Sequence, residues 1–417
     1  MEESMADTRL SRRRTLGMGL AAGAVALGVG KVARAQASEV KVALLAPLSG
    51  PWSRQGLLMK AGADLAIEDI NKAGGIKALG GAKMRLMAFD AGDSGEKAKN
   101  AAQRMVAQEP NLVGGTGAWL SSFTLAATEV TERAELPWLT ESYSDAITSR
   151  GFRYVFQTAM TAEQQSVTAL SELLDVAKSA GVTVSRFGIL ADNSASAVSF
   201  VRPLREAELA KRNLKLVLDE IYTAPLADVT SMVQRVRSTK PQLLFMGASN
   251  VSDNKLLLDK MNEYGLGHGR VPSFGSGGAI VAPEMLDVVG ADQLEGFMSV
   301  VANWGGKGTE ALNKRFEAQS KEPWFGQDSI QTYFDMMLLK EAVERAGAAD
   351  RHKVAEVLRT IDISDGPAML LPGRRVKFDD KGRIVGAELV IVQWQNGKPV
   401  PVYPTSMATA RPVWPKA

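Results

Sequence analysis

The sequence predicts an α/β fold built as two doubly wound lobes. Short apolar segments rich in branched residues alternate with segments whose apolar residues recur at helical spacing, which is typical of parallel sheets covered by helices. The alternation runs in two series, one before and one after Thr158. With 417 residues, the chain is long enough for more than one hydrophobic core. We therefore expect two lobes rather than one extended sheet.

The N-terminal segment predicts export. The basic stretch SRRRTL at 11–16 precedes a moderately apolar run and an A-x-A site at 33–35. A basic region, an apolar core and a small-residue site are together typical of a secretory signal peptide. We assign residues 1–37 to this signal, with cleavage after Ala35 or Ala37.

The arginines indicate which export route the signal serves. The pair that follows Ser11 resembles a twin-arginine signal, which a receptor reads on folded cargo. Thr15 and Gly17 stand where phenylalanine and lysine are usual, so general secretion is the alternative. A disordered basic tail followed by a buried helix is the remaining alternative.

Charge and cysteine content exclude several classes of function. The chain has 49 Lys and Arg against 46 Asp and Glu, and residues 1–37 contain six and three of these, so 43 of each sign remain after export. This balance leaves no basic field for nucleic acid. The absence of cysteine excludes disulfides, thiolate metal sites, thiol nucleophiles and a lipid-anchored N-terminal cysteine. His268 and His352 lie in polar or Gly-rich turns and are expected at the surface.

The first series of elements opens with VKVALLAPL at 40–48, which is typical of a strand buried on both faces. Ser49-Gly50-Pro51 interrupts the strand, and a helix follows, with inward residues from Leu57 to Ile70 and a stop at Gly74-Gly75. The other strands of this series are expected, with their loops, at 82–94, 111–114, 135–147 and 152–160, and its helices at 96–108 and within 114–136.

The second series predicts another sheet. Its strands are expected, with their loops, at 186–197, 214–222, 241–251 and 271–280, and its helices at 164–179, 199–212, 227–238 and 251–264. The remainder is mixed, with a strand at 297–304, helices at 309–320, 329–346 and 353–361, and antiparallel strands within 375–404. In that last part Asp379-Asp380-Lys381-Gly382 and Asn396-Gly397 are the predicted turns.

Some of these segments carry residues typical of a known family. LSGP at 48–51, Gly56 and ADLAIEDINKAGGI at 63–76 resemble the opening of the mature periplasmic binding proteins that serve branched-chain amino acid and amide ABC importers. The order of elements resembles theirs over 38–400. The resemblance implies a type I periplasmic binding protein fold with a three-crossover hinge, in which 38–157 and 302–371 form lobe 1, and 158–301 and 372–417 form lobe 2.

Polar loops follow the predicted strands, and in a two-lobed α/β protein they face one cleft. A serine hydroxyl and free N–H groups at a helix start can hold a carboxylate. The resemblance implies this role for Ser121, an apolar wall from Trp119 and Leu120, and a ligand contact from Ser144 at the position of a family threonine. The predicted ligand-binding residues are Trp52, Gln55, Trp119, Leu120, Ser121, Ser122, Ser142, Tyr143, Ser144, Ser196, Ser249 and Gly277.

The chain also departs from the family pattern. Gly277 stands where the family has an acidic residue for the ligand's ammonium group, and Gln55, Ser196 and Ser249 stand where it has aromatic residues. An unpaired ammonium in a closed, dry cleft costs several kcal/mol, so the departure disfavours an α-amino acid ligand.

Other side chains bear on the choice of ligand. Glu141, Asp145 or Asp192 could take the place of the missing acid. The smaller residues indicate a roomier pocket. With tryptophans and a tyrosine near the loop ends, an aromatic or amide-type solute is expected as well as a branched-chain amino acid.

An enzyme is not predicted. The sequence lacks a G-x-S-x-G elbow, a P-loop and a carboxylate-rich metal motif, and Ser121 and Ser122 have only two histidines in the whole chain as possible bases. We expect no catalytic residue, metal or cofactor, and no nucleic-acid partner. The prediction is a monomeric periplasmic protein that captures a small solute and delivers it to the membrane permease of an ABC importer. A ligand-sensing domain of a regulator or receptor is the alternative, and an exported hydrolase using Ser121 is a third hypothesis.

Overall fold

The computed structural model describes residues 39–414. The predicted signal peptide at 1–37 lies outside the described residues. The strands are β1 (Glu39–Ala46), β2 (Lys83–Asp90), β3 (Leu112–Gly117), β4 (Trp138–Thr140), β5 (Val155–Gln157), β6 (Arg186–Asp192), β7 (Lys215–Tyr222), β8 (Leu243–Gly247), β9 (Ser273–Ser276), β10 (Met298–Val301), β11 (Asp362–Ile363), β12 (Val376–Lys377), β13 (Val390–Gln395) and β14 (Lys398–Tyr403). The α-helices are α1 (Ser53–Lys72), α2 (Gly95–Gln108), α3 (Ser121–Arg133), α4 (Ala162–Ser179), α5 (Ala195–Pro203), α6 (Leu209–Lys211), α7 (Thr230–Thr239), α8 (Val251–Glu263), α9 (Pro283–Val289), α10 (Ala291–Leu294), α11 (Glu310–Ser320), α12 (Gln327–Ala346) and α13 (Arg351–Thr360).

The first sheet has the order β2-β1-β3-β4-β5, and its strands run parallel. Successive side chains of a strand point to opposite faces, so β1 serves two cores. Val42 and Leu44 pack with α1 and α12, whereas Ala43 and Leu45 pack with α2 and α3. Burial on both faces explains the continuous apolar run that predicted this strand. We call this sheet and these helices the first lobe.

The second sheet has the order β14-β13-β10-β9-β8-β6-β7. Strands β6 to β10 pair in parallel, while β13 and β14 are antiparallel additions at one edge. Phe245 of β8 packs with α4 and α5, and its neighbour Met246 packs with α7 and α8. We call this sheet and these helices the second lobe. The predicted turn at Asn396-Gly397 joins β13 to β14, and both of its residues have positive φ, as a tight two-residue hairpin requires.

Helix starts in the structure precede several predicted ones by a few residues. Thr161 and Gln164 form a capping box at α4, and Asp350 accepts a hydrogen bond from Lys353 N at 2.9 Å at the start of α13. A polar first turn shows no apolar periodicity, so the prediction began at the first inward residue. In the helix predicted at 199–212, Pro203 is followed by a π-helical turn over Leu204–Glu208, since proline has no N–H for the regular ladder. Helices α9 and α10 were not predicted.

The chain passes between the lobes in three places. It leaves the first sheet after β5, returns after β10 to form α11, α12 and α13, and enters the second sheet again at β13. Val376 and Ile384 pack in the core under α1 and α12, whereas Leu389 packs in the core of the second lobe. The predicted lobe boundaries stay a prediction, but this packing favours a third crossing near Leu389 rather than at 372.

Candidate functional site

The loops at the carboxyl ends of the two sheets enclose a cavity between the lobes. Its empty space is about 450 Å³, open solvent included. Eight of the predicted ligand-binding residues lie in its wall, namely Trp119, Leu120, Ser121, Ser142, Tyr143, Ser196, Ser249 and Gly277. The wall also contains Glu141, Ser276, Gly278, Ala279 and Gln327.

The loop from β3 to α3 has an unusual backbone. Gly117 has φ +122°, and a Cβ there would lie 2.0 Å from the Leu45 carbonyl oxygen, so only glycine fits. The next residues, Ala118 and Trp119, have φ of 69° and 49° although they carry side chains. Non-glycine residues at positive φ are uncommon, and consecutive ones cluster at functional sites. This strained turn directs Trp119 to the cavity and starts α3 at Ser121.

The loop after β4 is held to the β3 loop by hydrogen bonds. Ser142 Oγ donates to the Trp119 carbonyl at 2.7 Å, and Ser144 N donates to Ser121 Oγ at 3.1 Å. Thr124 Oγ1 lies 2.6 Å from Ser142 Oγ. These groups are buried and satisfied by one another. The two loops therefore present one preformed wall to the cavity.

The second lobe supplies the facing wall. Asp192, at the end of β6, accepts hydrogen bonds from Ser194 N at 3.0 Å and from Ser249 N at 2.8 Å, which joins the loops after β6 and β8. Ser276 Oγ donates to Gln165 Oε1 at 3.2 Å. Gly277 has φ +91°, and a Cβ there would lie 3.4 Å from the Tyr143 ring. The positive φ favours glycine at this position, and the Tyr143 ring of the first lobe lies beside it.

Helix α12 begins where the lobes meet. Gln327 Oε1 accepts hydrogen bonds from Tyr143 Oη at 2.5 Å and from Ala302 N at 2.9 Å. Asp328 Oδ1 accepts one from Trp119 Nε1 at 3.0 Å. The start of this helix thus fastens both loops of the first lobe and the end of β10.

Three buried carboxyl groups lie beside the cavity. Burial raises the pKa of Asp328 to about 6 and that of Asp335 to about 7, although each accepts hydrogen bonds that oppose the shift. The pKa of Glu141 is raised well above its ordinary value, first by burial and then by the charges of Asp328 and Asp335. Both carboxylate oxygens of Glu141 are buried without a hydrogen-bond partner. Among the described residues that line the cavity, none is basic.

The described residues of this wall form no cluster typical of a metal site. Within residues 39–414, no three His, Cys, Asp or Glu side chains converge so as to hold a metal ion. Ser121 Oγ accepts the Ser144 N–H, while both histidines lie outside the cavity wall. The arrangement can enclose and hydrogen-bond a solute.

A family model described as periplasmic binding protein matches residues 39–399. The chain belongs to the periplasmic binding protein family.

Relatives of this periplasmic binding protein are similar along nearly their whole length. The protein called Leu/Ile/Val-binding protein homolog 8 of Brucella melitensis biotype 1 is 29% identical over 388 residues, which cover 90% of this chain and 93% of that protein. The Leu/Ile/Val-binding protein homolog 7 of the same organism is 28% identical, with 89% and 93% covered.

Solved structures share the fold of this binding protein. A leucine binding protein from Thermotoga maritima MSB8 has a TM-score of 0.73 at 20% identity, over 87% of this chain and 97% of that one. The branched-chain amino acid transporter substrate binding protein from Streptococcus pneumoniae, in complex with isoleucine, has a TM-score of 0.72 at 19% identity, over 87% and 97%. A solute binding protein from R. palustris, in complex with benzoate, has a TM-score of 0.70 at 18% identity, over 91% and 98%. These likenesses confirm the predicted α/β fold.

Four of the predicted site residues of this binding protein lie outside the cavity wall. The centre of the Trp52 ring lies 5.6 Å from that of Phe123, and the two rings pack edge-on. Gln55 lies in α1, and its side chain is buried. Ser122 is exposed on α3. Ser144 is buried, and its Oγ lies 3.3 Å from Ser199 Oγ of α5, which joins the two lobes. Their ligand roles stay a prediction.

Part of the wall was not predicted from sequence. Glu141 was considered only as a substitute for a missing acid, and Gln327 comes from a helix far along the chain. Gln327 has no local motif that could have revealed it. Ser276 and Gly278 belong to a polar loop that was expected to face the cleft, but only Gly277 of that loop was predicted as a ligand contact.

Proposed function

We propose that this protein captures a small polar or amphipathic solute in its cleft and delivers it to the membrane permease of an ABC importer. The observation that carries the proposal is the cavity whose walls come from the loops of both lobes. A solute that touches both walls favours the closed arrangement over the open one. The permease can then distinguish loaded from empty protein by the relative position of the lobes.

The solute class is bounded by the polarity of the cavity wall. Serine hydroxyls face a wall containing Trp119, Leu120 and Tyr143, so one part of the solute is polar and another is apolar. Relatives are named for leucine, isoleucine and valine, and proteins of this fold hold isoleucine or benzoate. Branched-chain amino acids, amides and aromatic acids are therefore the first solutes to test.

A thermal-shift screen of the mature protein against these three classes tests the proposal. A solute present at 100 times its dissociation constant stabilises the protein by about 2.7 kcal/mol. Ser196→Trp places a large ring in the cavity and should abolish the shift. The matched control is Val198→Trp on the same helix, whose side chain is 47% exposed, and it should keep the full shift.

Two results would contradict the proposed binding site. If no small solute raises the melting temperature, or if the Ser196→Trp and Val198→Trp variants respond alike, the cleft is not the binding site. The bound solute should be recovered unchanged by mass spectrometry, because capture and delivery need no chemical change.

We infer that the protein acts in the periplasm as a monomer. Members of the matched family are periplasmic binding proteins, and no helix among residues 39–414 is both long and apolar enough to cross a membrane. Size-exclusion chromatography with light scattering tests the monomer. A sensing domain of a regulator is not favoured, since relatives named as binding proteins align over 93% of their length.

The export route is tested through its arginines. Replacing Arg12 and Arg13 together by lysine should retain the precursor in the cytoplasm if the twin-arginine pathway carries it. Arg14→Lys is the matched control, which should still be exported. Export of the double variant at the normal level would show that the general secretion route is used.

A further inference from the structure

Three acidic residues could replace the acid that is missing at Gly277, and they differ in whether other groups of the protein already contact their oxygens. Asp145 accepts a hydrogen bond from Glu163 N at 3.1 Å and lies 3.7 Å from Arg383 Nη1. Asp192 accepts two backbone hydrogen bonds, from Ser194 and Ser249. The protein itself therefore occupies the oxygens of both residues, and neither lines the cavity.

Glu141 differs from them. It lines the cavity, it is only 3% exposed, and both of its carboxylate oxygens lack a hydrogen-bond partner. Among the buried carboxylates of residues 39–414, no other leaves both oxygens unpaired. A buried polar group without a partner is costly and rare, so its presence in a binding cavity points to a partner brought by the ligand.

The charge around Glu141 indicates the sign of that partner. Asp328 and Asp335 of α12 are the charged groups that act on it, and both are acidic. Tyr143, also beside it, has a pKa raised well above its ordinary value by burial and by the charge of Glu141. With no basic side chain among the described residues of the wall, the potential at this end of the cavity is negative and favours a cation.

We propose that the solute carries a cationic nitrogen, an ammonium or an amidinium group, that pairs with Glu141 of the first lobe. This inference rests on the proposed function and narrows its solute class to cationic or zwitterionic compounds. It also returns α-amino acids to the candidates, with Glu141 in place of an acid from the second lobe. A simple carboxylic acid such as benzoate has no cationic nitrogen to pair with this residue.

Pairing with a cation changes the protonation of Glu141. Burial raises the pKa of Glu141 in the empty cavity, whereas a cation in contact with it favours the ionised form. Binding is therefore linked to loss of a proton from Glu141, and the affinity for the cation rises with pH, by at most about tenfold per unit. A purely structural role for Glu141 would not produce this linkage.

The experiment compares solutes that differ only in the nitrogen. Isothermal titration of the mature protein uses L-leucine against 4-methylpentanoate, and 4-(aminomethyl)benzoate against 4-methylbenzoate, at pH 6 and pH 8 in two buffers of different ionisation enthalpy. The member with the nitrogen should bind more tightly in at least one pair. Its affinity should rise with pH, and its binding enthalpy should depend on the buffer.

Glu141→Gln tests the residue directly. The variant keeps the side-chain shape and removes the charge, so it should lose about 100-fold in affinity for the cationic member and the pH dependence with it. Affinity for the member without nitrogen should hold or improve, which also shows that the variant is folded. Glu172→Gln is the control, because the pKa of Glu172 is raised to about 8 by burial on α4, away from the cavity.

The results distinguish failure of this inference from failure of the proposed function. If the members without nitrogen bind as tightly as their partners, or if Glu141→Gln leaves the cationic member unaffected, the inference is wrong while solute capture stands. If no solute of either kind binds the wild-type protein, the proposed function fails and the inference fails with it.

Discussion

The fold buries Asp328 and thereby disfavours its ionised form. Burial raises its pKa to about 6, and that of Asp335 to about 7, from an ordinary value of 3.8 for both. Between about pH 4 and pH 7 these two carboxyl groups therefore bind more protons in the native protein than in the unfolded chain. Their contribution to the free energy of unfolding falls as the pH rises through this window, since the buried groups are forced to ionise.

Asp328→Asn should remove part of that pH dependence. The amide oxygen can still accept the Trp119 N–H, so the variant loses the charge and keeps the hydrogen bond. In urea titrations at pH 4, 5.5 and 7, the free energy of unfolding of the variant should rise relative to that of the wild type as the pH increases, by about 1.4 kcal/mol for each unit of pKa shift removed. Asp287→Asn, at an exposed position, is the control and should keep the pH dependence of the wild type. The same pH dependence in Asp328→Asn as in the wild type would contradict the argument.

Gly278 is a second residue whose surroundings matter, because they leave no space for a side chain. A Cβ at this position of the second lobe would lie 2.5 Å from Asp328 Oδ2 of α12. Gly278→Ala should hold the lobes apart and weaken solute binding at least tenfold, because this contact exists only when the cleft is closed.

The control for Gly278→Ala is a glycine with room. At Gly95 a Cβ would meet only ordinary contacts, 3.5 Å from the Ser122 carbonyl oxygen and 3.7 Å from Ala126 Cβ. Gly95→Ala should leave the affinity unchanged in the same titration. Equal affinities for both variants would show that Gly278 and Asp328 do not come this close when the solute is bound.

At the scale of elements, α1 and α9 are joined across the cleft by one arginine. Arg54, in the first turn of α1, pairs with Glu284 of α9 and with Glu322 in the segment before α12. Its Nη1 lies 2.7 Å from Glu322 Oε1. These side chains are less than a third exposed, so the pairs are screened less than those on the open surface.

Arg54→Gln should speed solute release. Loss of the Arg54–Glu284 pair removes an attraction between the two lobes, and partly buried pairs of this kind contribute about 1 kcal/mol, which corresponds to a several-fold faster dissociation. Stopped-flow displacement measures this rate. The control is Lys60→Gln, since Lys60 pairs with Asp64 within α1. A dissociation rate that does not change in Arg54→Gln would show that the Arg54 pairs do not stabilise closure.

At the scale of the whole molecule, the two lobes meet around the cavity and are joined by three crossings of the chain. Ser144 of the first lobe meets Ser199 of the second, and Arg54 of the first meets Glu284 of the second. Each lobe has its own cores on the two faces of its sheet, so relative motion of the lobes leaves the cores intact.

Saturation with a bound solute should therefore compact the protein without changing its secondary structure. Small-angle scattering should give a smaller radius of gyration with solute than without, and circular dichroism should not change. Ser196→Trp, which fills the cavity, should show no solute-dependent compaction. An unchanged radius in the wild-type protein at saturation would rule out closure as the response to the solute.

Local patterns in the sequence were sufficient for most of the elements and for the fold class, although not for α9 and α10. The apolar run of β1, the inward spacing of α1, the Asn396-Gly397 turn and the polar loops after the strands each reflect interactions within a few residues, and periodicity records these directly. The family pattern supplied the cleft loops, so eight of twelve predicted site residues lie in the cavity wall.

Tertiary structure alone decided which charged groups are left without a partner. Asp145, Asp192 and Glu141 look alike in sequence, and only the folded chain shows that backbone N–H groups and an arginine occupy the first two. Helix α12 brings Gln327 and Asp328 to the cavity from far along the chain, as the separation of 209 residues in the Trp119–Asp328 hydrogen bond shows. Contacts over such distances depend on how whole lobes pack, and no local spacing in the chain encodes them.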